Sequence, residues 1–170
     1  YGWVSTMRGN GNGTFQAAQQ VGFSGSYSVV AADFRATGKP DLGWPARFAA
    51  ALAERFPSAH IKVVNLAVGR QTAKQAAERL DREVIPMKPS LVIWETGTME
   101  AVRGMDIDEF RETLRAGIDE LRTAGIEAVL MNMQFSRDSE AVIHFEPYLA
   151  AMSQLADASD VPLFHRRGIM

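Results

Sequence analysis

The sequence predicts an α/β domain built on an open, doubly wound parallel sheet. Five strands in the order 2-1-3-4-5 are expected, with helices on both faces in three layers. Three observations carry this expectation. From Tyr27 onward, short apolar runs alternate with helical patterns of roughly 10–20 residues, the rhythm of right-handed βαβ units. The run Leu91-Val92-Ile93-Trp94 has no polar face, as a strand covered on both sides requires. The segment from Asp106 to Ala124 places Ile107, Phe110, Leu114, Ile118 and Leu121 on one helical stripe.

Each element follows from local chemistry. Tyr27 to Ala32, with its apolar Val29-Val30-Ala31-Ala32, is the first strand. Gly43 and Pro45 open a helix whose inner face is Phe48, Leu52 and Phe56. Ile61 to Leu66 is the second strand. Thr72 caps a helix with Ala73, Ala77, Leu80 and Val84 inward, and Pro86 stops it. Leu91 to Trp94 is the third strand. Asp106 caps the longest helix, with Glu109 three residues on as a reciprocal partner, and Gly125 takes the left-handed position after its end. Glu127 to Met133 is the fourth strand. Pro147 starts a helix with Tyr148, Met152 and Leu155 inward, and Val161 to Phe164 is a short fifth strand.

Residues 1–26 differ from residues 27–170, which form the domain. They hold Gly2, Gly9, Gly11, Gly13, Gly22 and Gly25, six of the chain's 14 glycines, with Arg8 as the one charged side chain. No period of 2 or 3.6 is sustained. The expectation is an irregular extension that docks on another protein through its aromatic side chains Tyr1, Trp3, Phe15 and Phe23. The chain opens on Tyr1 without the basic and apolar regions of a signal peptide. Either a leader has been removed or a further N-terminal part precedes it.

Composition narrows the chemistry. The 170 residues hold 18 Lys+Arg against 20 Asp+Glu, a formal net charge of −2. That excludes a strongly basic protein holding nucleic acid by phosphate neutralisation. There is no cysteine, hence no thiolate metal site and no thiol nucleophile. No apolar run approaches the ~18 residues of a membrane helix. A Walker A loop, a G-x-G-x-x-G turn and an H-E-x-x-H pair are all missing, so no metal or cofactor is implied.

In a doubly wound sheet, ligands sit at the carboxyl ends of the strands. That selects Asp33-Phe34, Asn65 to Arg70, Glu95 to Glu100 and Asn132 to Ser136. Glu95 and Glu100, with Asp33, would be up to three carboxylates for a divalent cation or an acid/base pair. Alternatively, Glu100 is a solvated loop residue or pairs with Arg103 or Arg70. Asn132 and Gln134 either line a polar pocket or bond local loop backbone. His144, in the irregular loop 135–146, is a candidate general base. His60 falls at the wrong end of the sheet, and His165-Arg166-Arg167 is a small basic cluster at the last strand's end.

Four stretches carry a family resemblance. They are Trp44-Pro45-Ala46-Arg47-Phe48, Val63-Val64-Asn65-Leu66-Ala67-Val68-Gly69, Leu91 to Thr98, and Val129 to Ser136. In order and spacing, residues 27–170 resemble the SGNH (GDSL-like) hydrolases. The resemblance implies a flavodoxin-like sheet and, for many members, esterase or acyl-hydrolase activity outside the cytoplasm. It also implies four catalytic blocks, and each departs here. The nucleophile turn after the first strand reads Asp33-Phe34-Arg35, without serine; an alternative alignment places the nucleophile at Ser26. At the oxyanion glycine, Gly69 is followed by Arg70, which takes the glycine's place. The Gly-x-Asn block reads Gly97-Thr98-Met99, and methionine cannot donate a hydrogen bond. The final Asp-x-x-His block would lie beyond Phe164, in a C-terminal part past Met170.

The expectation is therefore a degraded hydrolase domain, a non-catalytic binding or accessory subunit of a protein complex. It would work in the periplasm or another exported compartment, with association to a membrane complex allowed for. The alternative is a serine esterase or acyl hydrolase acting on an ester or acetyl substrate. Its pocket would comprise Asp33, Asn65, Gly69, Arg70, Gly97, Thr98, Met99, Glu100 and Asn132.

Overall fold

The computed structural model describes residues 2–6, 19–23, 27–32, 43–135 and 142–169. Ser26, Asp33, Phe15 and Tyr1 lie outside them. Three strands come first: β1 (Gly2–Thr6), β2 (Gln19–Phe23) and β3 (Tyr27–Ala32). Helix α1 (Trp44–Arg55), β4 (Ile61–Asn65) and α2 (Ala73–Ala77) follow, then β5 (Leu91–Glu95) and α3 (Thr98–Arg103). The chain continues through α4 (Ile107–Thr123), β6 (Glu127–Met131), α5 (Glu146–Ala158) and β7 (Leu163–Phe164).

The main sheet has the order β4-β3-β5-β6-β7, and every pairing in it is parallel. Counted from Tyr27, this is the order 2-1-3-4-5, reversing direction of growth at β3. Tyr27 pairs with Ile61 and Ala31 with Asn65, so β3 runs with Ala32 at the carboxyl edge of the sheet.

The N-terminal segment corrects one expectation. Residues 1–26 are not irregular throughout, because β1 and β2 pair antiparallel in a separate two-stranded sheet. The register sets Gly2 opposite Phe23 and Trp3 opposite Gly22. Each aromatic residue faces a glycine across the ladder, so neither strand alone shows the alternation that marks a strand in sequence.

The two faces of the main sheet are covered unequally. On one, Val92, Trp94 and Leu130 join Leu80 and Val84, the α4 stripe, and Tyr148, Met152 and Leu155 of α5 in a large buried core. On the other, Ile93 and Met131 are buried with the partly buried Trp44 and Phe48 of α1, Val63, Leu91 and Val129. The α4 stripe is as expected, with Phe110, Leu114, Ile118 and Leu121 all buried. It reaches the sheet through Gly117: a Cβ there would stand 2.5 Å from Cζ3 of Trp94.

Caps behave as sequence chemistry requires, with one exception. Thr72 and Gln75 form a full capping box on α2. The helical path then changes pitch, through a π-helical turn at Leu80–Val84 and a 3₁₀ turn at Ile85–Met87. Asp106 caps α4 by accepting from the N–H groups of Asp108 and Glu109. Glu109 does not reciprocate: its carboxylate bonds Lys74 Nζ at 2.9 Å instead. Gly125 has the expected positive φ, 73°.

Candidate functional site

The carboxyl ends of β5 and β6 hold buried polar side chains, and the chain behind β7 folds over them. Glu95 ends β5 with its side chain 3% exposed. Trp44 at the start of α1 donates its indole N–H to Glu95 Oε2 at 2.9 Å. Arg166 forms an ion pair with Glu95 Oε1 and also donates to Gln134 Oε1 at 3.1 Å. Asn132, just past β6, is buried; its Oδ1 accepts the N–H of Arg167 at 3.1 Å. Its Nδ2 lies 3.5 Å from Nδ1 of His165. The Arg167 guanidinium stacks 5.6 Å from the Phe135 ring and 4.8 Å from the Phe145 ring. Burial among these groups pushes its pKa below the usual arginine value.

Beyond β5 the chain turns sharply. Gly97 has φ 96°, a dihedral that calls for glycine, while a Cβ there would meet only the end of the flexible Met133 side chain, Cε at 2.8 Å. Helix α3, bracketed by Gly97 and Gly104, starts here and carries Thr98, Met99 and Glu100. Glu100 is 1% exposed. Its carboxylate accepts the N–H of Ala73 at 2.5 Å and of Gly97 at 3.2 Å, tying the start of α2 to the turn after β5. Beside it lies a small cleft of about 10 Å³, room for about one water, lined in part by Lys74, Met105 and Phe110.

These contacts correct several expectations. Glu100 is neither a solvated loop residue nor an ion-pair partner of Arg103 or Arg70, because two backbone N–H groups claim its carboxylate. Glu95 and Glu100 do not share a site. Among the described residues no group of three His, Cys, Asp or Glu side chains could hold a metal ion. The basic cluster is not a solvated end, since Arg166 and Arg167 are built into the strand-end network. His144 is exposed, and no described contact brings it to this network. Asn65 Oδ1 accepts the N–H of Ala67, holding the loop after β4 rather than a ligand. Gly69 and Arg70 are exposed in that loop, and Met99 is partly buried. Sequence reasoning missed Trp44 and Arg166 as partners of Glu95; Arg166 is 71 residues away, and no local pattern signals the pair.

Burial also raises the pKa of Glu100, against the lowering effect of its backbone hydrogen bonds and of Arg103. A carboxyl group whose folded pKa exceeds its unfolded one binds its proton more tightly when folded. Its stabilising contribution is therefore present at low pH and lost as pH rises from about 4.5 through the folded value. In Glu100→Gln this component is expected to vanish. Urea unfolding from pH 4 to pH 8 should show the difference in stability, parent minus variant, falling with rising pH. A difference that stays flat or rises would refute the assignment.

The fold defines a class. Solved structures of this class match closely in shape. One is the acetylxylan esterase Axe2 from Geobacillus stearothermophilus, solved as a catalytic mutant, with TM-score 0.71 and 18% identity over 87% of this chain and 78% of that one. The psychrotrophic esterase EstA from Pseudoalteromonas sp. gives TM-score 0.69 and 16% identity, covering 82% of this chain and 76% of that one. A putative lipolytic protein of the G-D-S-L family from Desulfitobacterium hafniense gives 0.66 and 22%, covering 81% and 76%. These likenesses establish an SGNH-hydrolase-like fold. A family profile narrows it: residues 16–170 match the non-GDSL lipase-like family, and the chain belongs to that family. No curated protein matches the chain.

Proposed function

We propose that this chain is a non-catalytic member of the SGNH-like class, a binding or accessory subunit of a protein complex. The observation that carries this reading is the use made of the strand-end polar groups. Glu95, Asn132 and Gln134 are bonded to Arg166 and to the backbone of Arg167, leaving a closed network at the centre of the expected pocket. Of the family's oxyanion donors, the asparagine side chain is replaced by Met99, and Arg70, which keeps a backbone N–H, sets a bulky side chain where the glycine leaves room for substrate. Loss of one such donor typically costs on the order of 3–4 kcal/mol in the barrier. Serine, base and oxyanion donors act as a unit, so a site short of several retains little activity.

The partner is another protein, gripped through residues 1–26 by Tyr1, Trp3, Phe15 and Phe23. The chain works in the periplasm or another exported compartment, a placement that rests on the resemblance to exported hydrolases. The second reading, a serine esterase or acyl hydrolase of an ester or acetyl substrate, is favoured by the esterases among the structural neighbours.

One experiment separates the two. A fluorophosphonate probe is expected to leave the protein unlabelled, and alanine at Trp3 and Phe15 to release co-purifying protein. Labelling that disappears in Ser26→Ala would establish the esterase instead. Retention of the partner by the alanine variant would sink the docking role of residues 1–26.

A further inference from the structure

The turn after β4 carries an unusual residue for its shape. Gln71 donates its N–H to Val68 O at 3.4 Å, and Arg70, the third residue of this four-residue turn, has φ 66°. Turns with a left-handed third residue ordinarily take glycine there, because a Cβ is crowded in that conformation. Lys88 and Asp160 also have positive φ, 48° and 51°. Each follows a helical segment, where a left-handed residue helps close the end. Arg70 follows a strand and loop and closes no helix.

Nor does the side chain of this arginine make a polar contact with the described fold. Its side chain is exposed and makes no hydrogen bond or ion pair with the described residues; only its carbonyl is used. A side chain that sits in a strained turn and makes no hydrogen bond or ion pair there is free to meet a ligand. Arg103 is beside it. From the end of α3 it donates Nη2 to Arg70 O at 3.4 Å, bringing a second exposed guanidinium to the turn. Glu100 feels the charge of Arg103, yet its carboxylate is buried and engaged by Ala73 and Gly97. The same two segments expose Val68 (45%) and Val102 (49%). Two guanidinium groups and two valines thus share the carboxyl edge of the sheet, where folds of this topology bind ligands.

We propose that Arg70 and Arg103, with Val68 and Val102, dock an acidic and apolar peptide segment of a protein partner. Planar guanidinium forks receive carboxylates in bidentate geometry, and the valines favour apolar side chains between the acids. Charge complementarity selects the acidic character, and the valines favour a peptide over a purely polar polyanion. This inference rests on the reading of the chain as a binding subunit.

The test uses the full 170-residue chain and a fluorescein-labelled peptide of alternating glutamate and leucine, read by anisotropy at low and physiological ionic strength. Saturable binding that weakens with salt is expected. Arg70→Gly and Arg103→Ala should each weaken it about tenfold. Arg70→Lys keeps the charge without the fork and should fall between. Arg70→Gly should also raise the melting temperature, since glycine suits the turn. Arg115→Ala, on the exposed side of α4, should bind as the parent does. Absence of binding, parental binding by Arg70→Gly, or preference of the arginine pair for an oligouronate would overturn the proposal. Fluorophosphonate labelling of the same samples keeps the two readings apart. A labelled protein that binds the peptide through Arg70 sinks only the non-catalytic reading; an unlabelled one that fails to bind sinks only this inference.

Discussion

Replacing Arg166 with alanine is expected to lower stability by about 3 kcal/mol, the low end of what removal of one partner from a buried ion pair costs. For a chain of this length that is a fall of roughly 6–12 °C in melting temperature. The side chains of Glu95 and Arg166 are 3% and 18% exposed, so the carboxylate left behind cannot recover full hydration. The Trp44 indole offsets little of that. The low end of the range applies because Arg166 itself retains some solvent. A second variant isolates the cause: Glu95→Gln combined with Arg166→Met removes the charge while keeping an acceptor for Trp44, and should recover most of the loss. Thermal and urea unfolding of the three proteins decide it. A loss under 1 kcal/mol in Arg166→Ala would show that the pair does not hold the strand ends together.

Gly117 is the second sensitive point. Valine there should cost about 3 kcal/mol, because its Cβ would lie 2.5 Å from an indole ring fixed between β5 and α4. Alanine is the more discriminating substitution. Its better helix propensity contributes about 1 kcal/mol, while overpacking costs about 1–3 kcal/mol. Stability should therefore fall in the order glycine, alanine, valine, with the near-ultraviolet circular dichroism of Trp94 changing alongside. An alanine variant more stable than the parent would show that α4 can shift away from the sheet without cost.

How much of this was legible in the sequence depended on the range of each interaction. β5 and the α4 stripe were readable because a wholly apolar run and a helical period are local signals that the core later uses unchanged. The short helix α3 was not readable, since its six residues between Gly97 and Gly104 complete fewer than two turns. The hairpin of β1 and β2 was hidden because each aromatic residue found its complement, a glycine, on the other strand. At the strand ends, the rule for doubly wound sheets pointed to Glu95, Glu100 and Asn132, and the structure buries all three there. It could not say what each would bond. Glu100 is satisfied by backbone N–H groups, which leave no trace in side-chain chemistry, and Glu95 by a guanidinium far along the chain. The substitution at Arg70 was visible as a letter; that it holds a left-handed turn with an exposed guanidinium was visible only in three dimensions.

The separation between Glu95 and Arg166 also has a temporal side. The ribosome makes Glu95 71 residues before it makes Arg166. At synthesis rates of about 5–20 residues per second, that interval lasts roughly 4–14 s. Throughout it the carboxylate waits for the Arg166 guanidinium, its ion-pair partner in the folded domain. The N-terminal hairpin, β3 and β4 are by then already made. The pair of Glu95 and Arg166 can close only after every strand of the main sheet has been made.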